Sequence, residues 1–189
     1  MPQDKWVIGK QFDFCYSHRV WSQKLNEKFS LDSGCACRHL HGHQGTIIVK
    51  LSSIGLKDGM VTDFKHLNFF KKFVDDVLDH KFILDIEDPL FHTLVPEYKG
   101  QDIPIKWNEG NWTGVYGIVD PNFFKFITEP HMIELYESFV FVRFVPTSEN
   151  LCRWFYDLLE DKIEELDAYI ESVQFFETPK SQCTFSKDI

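Results

Sequence analysis

The stretch His41-Gly42-His43-Gln44-Gly45-Thr46-Ile47-Ile48-Val49-Lys50-Leu51 alternates with a period of two, so that His41, His43, Ile47, Val49 and Leu51 share one side. Successive side chains of a strand point to opposite faces, and the pattern predicts a half-buried strand carrying two imidazoles. Upstream, Trp6 to His18 reads the same way: Ile8, Phe12, Phe14, Tyr16 and His18 hold one parity, Gly9, Gln11 and Asp13 the other. Ser22 to Gly34 between them is polar and predicts a loop. Downstream, Lys57-Asp58-Gly59 is a turn signal that leads into a short strand at Met60 and Val61.

Helical spacing follows. Asp63 is a candidate N-cap for a helix from Phe64 to Leu78, where Phe64, Leu67, Phe70, Val74 and Leu78 recur on one face. Phe139 to Val145 predicts a further strand. After Pro146, Thr147 caps a second helix with the stripe Leu151, Trp154, Phe155, Leu158, Leu159 and Ile163. Tyr169 to Glu177 predicts a closing strand with Val173, Phe175 and Glu177 on one face. The stretch 85–138 carries Pro89, Pro96, Pro104, Pro121, Trp107 and Trp112 with little periodicity. It predicts a long, partly structured insertion within a single domain spanning 1–189.

Composition narrows the function. The 189 residues suffice for one well-buried core, and 43% hydrophobic with 26% charged residues is a globular balance. Nineteen phenylalanines predict an aromatic core or subunit interface. A formal charge of -9 argues against general nucleic-acid binding, which needs a surplus of Lys and Arg. It leaves room for a small anionic substrate at a locally reversed field. Five scattered cysteines do not form a disulfide framework, and the first residues lack the apolar run of a signal peptide. No stretch is long and apolar enough to span a bilayer. A reduced, cytoplasmic, soluble protein is expected.

The chemistry concentrates in Cys35-Ala36-Cys37-Arg38-His39-Leu40-His41-Gly42-His43. His41 and His43 present both rings to one side of a strand, and Gly42 leaves room on the other. His18, ending another strand, is a candidate third ligand. Three neutral imidazoles with an open fourth position describe a catalytic zinc site. A His-x-His pair alone is more often an ordinary surface or core feature, and a structural zinc knot using Cys35 and Cys37 is the competing metal reading. Cys-x-Cys suits that knot poorly. Cys37 is a candidate general base, since a nearby dication favours the thiolate; the bland alternative is an inert core thiol. Asp79-His80 is either a carboxylate orienting an imidazole or a helix end with a favourable histidine. Glu177, inward by parity, needs a partner and would match two adjacent N–H donors of an aminopyrimidine; an edge glutamate at the surface is as good a reading of the residue alone.

Together these segments resemble the 6-pyruvoyl-tetrahydropterin synthase / 6-carboxytetrahydropterin synthase family. The matching pieces are Phe12-Asp13-Phe14-Cys15-Tyr16-Ser17-His18-Arg19, Cys37-x-x-x-His41-Gly42-His43 and Gly59-Met60-Val61-Thr62-Asp63-Phe64. Then follow Leu78-Asp79-His80, Pro146-Thr147-Ser148-Glu149-Asn150, and Glu177-Thr178 with Cys183. The resemblance implies an α+β tunnelling fold: a four-stranded antiparallel sheet with two helices on one face, here with the insertion. It implies trimers closed into a barrel and stacked as a homohexamer, with active sites between subunits.

By the same carry-over, His18, His41 and His43 match zinc ligands, Cys37 the catalytic base, and Asp79 with His80 the proton relay. Glu177 matches the pterin anchor, and Thr147 falls in a motif at the substrate. The implied substrate is 7,8-dihydroneopterin triphosphate. One branch makes 6-carboxytetrahydropterin for 7-deazaguanine (queuosine) biosynthesis, losing acetaldehyde and triphosphate; the other makes 6-pyruvoyl-tetrahydropterin. The three-residue gap from Cys37 to His41 resembles the former. A folate-type branch with Glu in place of the cysteine does not match. Outside the enzyme class stands a catalytically silent, zinc-stabilised pterin-binding module. The stretch between His80 and Pro146 is longer than the family pattern, and Cys35 is an additional thiol.

Overall fold

The computed structural model describes residues 4–30, 34–108 and 115–187. Met1, Pro2 and Gln3, residues 31–33 of the expected loop, and Trp112 of the expected insertion lie outside the described residues.

Two long strands organise the chain, β1 (Trp6–His18) and β2 (His41–Ser53), as their alternation predicted. They pair antiparallel along their whole length, Trp6 opposite Ser53 and His18 opposite His41. β3 (Lys81–Asp85) lies parallel to the end of β1 at Tyr16 and Ser17. A short helix α2 (Phe91–Leu94) follows α1 (Asn68–Phe73) in the chain, and then β4 (Ile105–Asn108) and β5 (Tyr116–Val119) pair antiparallel. After helix α3 (Pro130–Glu137), β6 (Phe139–Val142) runs parallel to β3. Helix α4 (Ser148–Ile163) leads into β7 (Tyr169–Thr178) and β8 (Ser181–Phe185), an antiparallel pair continuing from β2. The sheet order is β4-β5-β6-β3-β1-β2-β7-β8.

The α+β class stands, and the four-stranded sheet needs correction. The antiparallel strands β1, β2, β7 and β8 are one half of an eight-stranded mixed sheet. Two strands of the other half, β4 and β5, come from the stretch expected to be an insertion, and β3 and β6 flank it. β6 falls in the strand expected at Phe139 to Val145, while β3, covered like β6 on both faces, gives no period-two signal. In β6, Val140 and Val142 enter one core while Phe139 and Phe141 enter a second, so every position is apolar. β3 divides in the same way, Ile83 to the first core and Leu84 to the second.

The first core packs α4 and α1 against one face of the sheet. The whole predicted stripe of α4 is buried, and Leu151, Phe155 and Leu159 are fully so. Each such side chain contributes roughly 1.5–3 kcal/mol by leaving water. Thr147 caps α4, its side chain accepting from Asn150 N. The opposite face of β1, β2 and β7 is uncovered: Gln11, Asp13, Cys15 and Gln44 are exposed, and Thr46, Gln174 and Phe176 half-exposed.

The helix expected over Phe64–Leu78 has three parts. A 3₁₀ turn Phe64–Leu67, capped by Asp63 accepting from Lys65 N, passes into α1 and then into a π-type turn Val74–Leu78. Its predicted face is buried except Phe64, which is exposed. The expected strand at Met60–Val61 is a single bridge. Asp58 and Gly59, both at positive φ, close a tight turn from Lys57 to Met60, and no strand continues it.

Candidate metal centre and active site

The register of β1 against β2 sets His18 directly opposite His41 and Tyr16 opposite His43, all on the core face. Gly42 between the two histidines has a physical reason. A Cβ there would lie 2.9 Å from the Tyr16 carbonyl oxygen and from Ser17 Oγ, so a larger residue would push β2 off β1 at the site. The three imidazoles converge, with ring centroids 4.5 Å (His18–His41), 4.9 Å (His41–His43) and 5.3 Å (His18–His43) apart.

Their tautomers are fixed from behind. His18 Nδ1 bonds the Pro146 carbonyl at 2.7 Å, and His41 Nδ1 bonds the His39 carbonyl at 2.8 Å. A carbonyl accepts only, so both Nδ1 atoms carry a proton and the Nε2 atoms are the ones left to meet a ligand. The Nε2 atoms of His18, His41 and His43 are all buried without a hydrogen-bond partner. Buried polar atoms are rarely left so, and three on facing rings point to a shared ligand. Burial, with His18 and His41 alongside, holds the His43 pKa below its ordinary value and keeps that ring neutral, as a metal ligand must be.

Glu177 at the end of β7 joins them. Its Oε1 lies 3.1 Å from His18 Nε2 and 3.6 Å from His43 Nε2, the former without hydrogen-bond geometry. One ligand atom from each of His18, His41, His43 and Glu177 fits within 4.8 Å of the others, a set that could hold a metal ion. The contact with His18 lowers the Glu177 pKa against the opposing effect of burial, and Ser148 adds a hydrogen bond. Glu177 and His43 also line a cavity of about 610 Å³ on the uncovered face, with Gln44, Thr46, Phe176 and Thr178. Tyr16 packs its ring 5.1 Å from His18 and 5.8 Å from His43, and its buried hydroxyl has no partner.

The chain belongs to the 6-pyruvoyl tetrahydropterin synthase family. The family model matches residues 7–188. The chain is 30% identical to the 6-carboxy-5,6,7,8-tetrahydropterin synthase of Aquifex aeolicus, over 97% of this chain and 99% of that protein. An uncharacterized protein from Wolinella succinogenes has a crystal structure similar to this one, with 52% identity, a TM-score of 0.89 and coverage of 97% and 99%. A catalytic-residue mutant of Plasmodium vivax 6-pyruvoyltetrahydropterin synthase shares the fold at 18% identity and TM-score 0.56, over 98% and 99% of the two chains.

Within this family framework the remaining expected residues fall into two places. Cys37 is half-buried at the centre's side, in a 3₁₀ turn (Ala36–Arg38) tied to β1 by Val20 N donating to the Cys37 carbonyl at 2.8 Å. Burial, the Cys35 thiol and the Glu177 charge push its thiol up to about 11. Asp79 and His80 sit elsewhere, on the edge of β1 that faces β3. Asp79 accepts from Cys15 N at 2.8 Å and from His80 Nδ1 at 2.9 Å, the first of these being the main reason its pKa is lowered. His80 takes a positive φ of 60°, its N donates to the Cys15 carbonyl, and its side chain is 79% exposed. A histidine held in that region stores strain at a defined position. Thr147 spends its hydroxyl on capping α4, accepting from Asn150 N at 3.2 Å.

Sequence reasoning missed the supporting groups: the Pro146 and His39 carbonyls and the Ser148 hydroxyl. The Pro146–Asn150 motif was visible as a helix start. That its first carbonyl would orient His18, 128 residues away, was not.

Proposed function

We propose that this protein is a zinc-dependent carbon–oxygen lyase converting 7,8-dihydroneopterin triphosphate and water to 6-carboxy-5,6,7,8-tetrahydropterin, acetaldehyde and triphosphate. The observation that carries this reading is the trio of buried, unpartnered Nε2 atoms, two of them on rings fixed by backbone carbonyls. The relative from Aquifex aeolicus supports the carboxy product.

His18, His41 and His43 would hold the zinc, which acts when bound as a Lewis acid on the substrate's side-chain hydroxyls and as a charge favouring nearby thiolate. Cys37 takes a proton from the side chain as general base. With a thiol pushed up to about 11 in the metal-free chain, it stays protonated near neutrality until a cation is present. Glu177, ionised at neutral pH, accepts two adjacent N–H groups of the aminopyrimidine ring and orients the pterin.

Asp79 holds the His80 ring and makes it the relay for a second proton. The exposure of His80 on the β1 edge suits service to the centre of a neighbouring subunit. The uncovered polar face of β1, β2 and β7 suits sheets closing into a trimeric barrel, two of which stack as a homohexamer. All five cysteines are free, which supports a reduced, cytoplasmic setting for a queuosine-pathway enzyme. Among the described residues no helix is long and apolar enough to cross a membrane.

The test supplies 7,8-dihydroneopterin triphosphate to zinc-loaded protein and measures acetaldehyde and triphosphate together. Equal yields are expected. Triphosphate without acetaldehyde would assign the pyruvoyl product, and pterin binding without either product would leave a binding module.

A further inference from the structure

Next to the metal centre lies a cavity of about 790 Å³, within the size range of small-molecule sites. Arg19, Arg38 and His39 line it together with Cys35, Leu40 and Leu90, and among the described residues no carboxylate is on its wall. In a chain of net charge -9 this is a local reversal of sign. The cavity is built from residues adjoining the proposed machinery: Arg19 directly follows His18, and Arg38 directly follows Cys37. The bond from Val20 N to the Cys37 carbonyl draws the two segments together.

Arg19 is the informative residue. Its side chain is only 9% exposed, yet its Nε and Nη1 are buried without a hydrogen bond. Asp88, itself 1% exposed, approaches Nη1 at 3.3 Å, and Asp88 Oδ2 likewise lacks a partner. The carboxylate thus lends charge without satisfying the guanidinium. Leaving such donors unbonded is costly, and an anion with several acceptor oxygens matches the planar fork. Arg38 is held in place by Nη1 donating to the Gln23 carbonyl at 2.8 Å.

We propose that Arg19 and Arg38 form an oligophosphate site, which on the function proposed above takes the triphosphate tail of the substrate. The phosphoester end of the tail then lies beside Cys37. The segment after β3 gains a role: Asp88 positions Arg19, and Leu90 completes the wall.

Calorimetric titration of inorganic triphosphate onto the zinc-loaded full chain, with zinc content measured before and after, tests this. The wild type is expected to bind, and Arg38→Gln to bind about 10- to 100-fold more weakly, the worth of a charge-assisted hydrogen bond. Arg19→Gln alone strands Asp88, so the Arg19→Met/Asp88→Leu double variant, which replaces the buried pair by apolar groups of similar size, is the cleaner probe. It should keep its melting temperature and lose triphosphate binding. Unchanged binding in both Arg38→Gln and the double variant, or equal affinity for inorganic monophosphate, overturns the site. Arg38-dependent triphosphate binding by a protein that turns over no pterin would uphold the site and sink the proposed function. Pterin turnover with an unaltered KM in Arg38→Gln would do the reverse.

Discussion

His18, His41 and His43 turn inward at the end of β1 and β2, with Nε2 atoms shut away from water, whereas Asp79 and His80 hang on the edge of the same β1 with His80 four-fifths exposed. The first group is fixed by register and by carbonyls behind the rings. The second is fixed by two bonds to the backbone of Cys15 and by a left-handed residue. Three facing imidazoles with buried, unpartnered Nε2 atoms could hold a cation. On the function proposed above, an exposed, carboxylate-oriented imidazole suits the transfer of a proton to or from a neighbouring centre. The difference teaches that one strand can anchor two clusters of titratable side chains and present one to the core and the other to solvent.

The largest effect should come from the buried group. His41→Ala is expected to abolish metal retention and turnover together, measured as zinc content and acetaldehyde release. An exposed-group variant, His80→Ala, should keep its zinc and lose roughly 10²–10⁴ in kcat, as removal of an acid–base catalyst does. Cys37→Ala should behave in the same way. Mixing the Cys37→Ala and His80→Ala chains under conditions that allow subunit exchange sharpens the contrast. Recovered activity means that the two groups meet across an interface; continued silence of the mixture would place them in one subunit and break the comparison.

Next in size is Glu177→Gln. As the pterin anchor, Glu177 should raise KM by about 10- to 100-fold on replacement, with zinc retained. A fall in zinc affinity instead would make it a fourth ligand, the alternative that its 3.1 Å approach to His18 raises.

Acid separates the groups differently. The folded pKa of His43 lies below its ordinary 6.5 and that of Glu177 below 4.5, so in both cases the unfolded chain binds the proton more readily. Their stabilisation is complete above pH 6.5. It falls on acidification as His43 and Glu177 are protonated. Zinc retention, followed by metal analysis after gel filtration, should therefore hold through pH 6.5 and decline only as the pH falls through the lowered His43 pKa.

The smallest effect is expected from Thr147→Ala. Loss of the N-cap should cost about 1 kcal/mol, seen as a lower melting temperature. Zinc content should hold while the Pro146 carbonyl still orients His18.

The two halves of the sheet were unequally legible. β1, β2 and β7 keep one face open to solvent, so polar and apolar residues alternate and announce each strand and its inward histidines. β3 and β6 are buried on both faces; β6 was still legible as the apolar run Phe139 to Val145, but Lys81-Phe82-Ile83-Leu84-Asp85 shows no period to read. The strands β4 and β5 are four residues each, too short to establish one. Tyr136, fully buried in the second core with its hydroxyl donating to the Pro96 carbonyl, shows that the stretch expected to be an insertion packs as a structured element.

The sequence by itself determined the residue types at the centre and the parity that turns His18, His41 and His43 to one side, because side-chain direction in a strand is a local property. Only the tertiary structure decided which carbonyls fix the tautomers, that Glu177 joins the imidazoles, and that Arg19 rests on Asp88 beside them. Apart from the His39 carbonyl, two residues from His41, those contacts join residues separated by tens to more than a hundred positions, and no local periodicity encodes a distance of that kind.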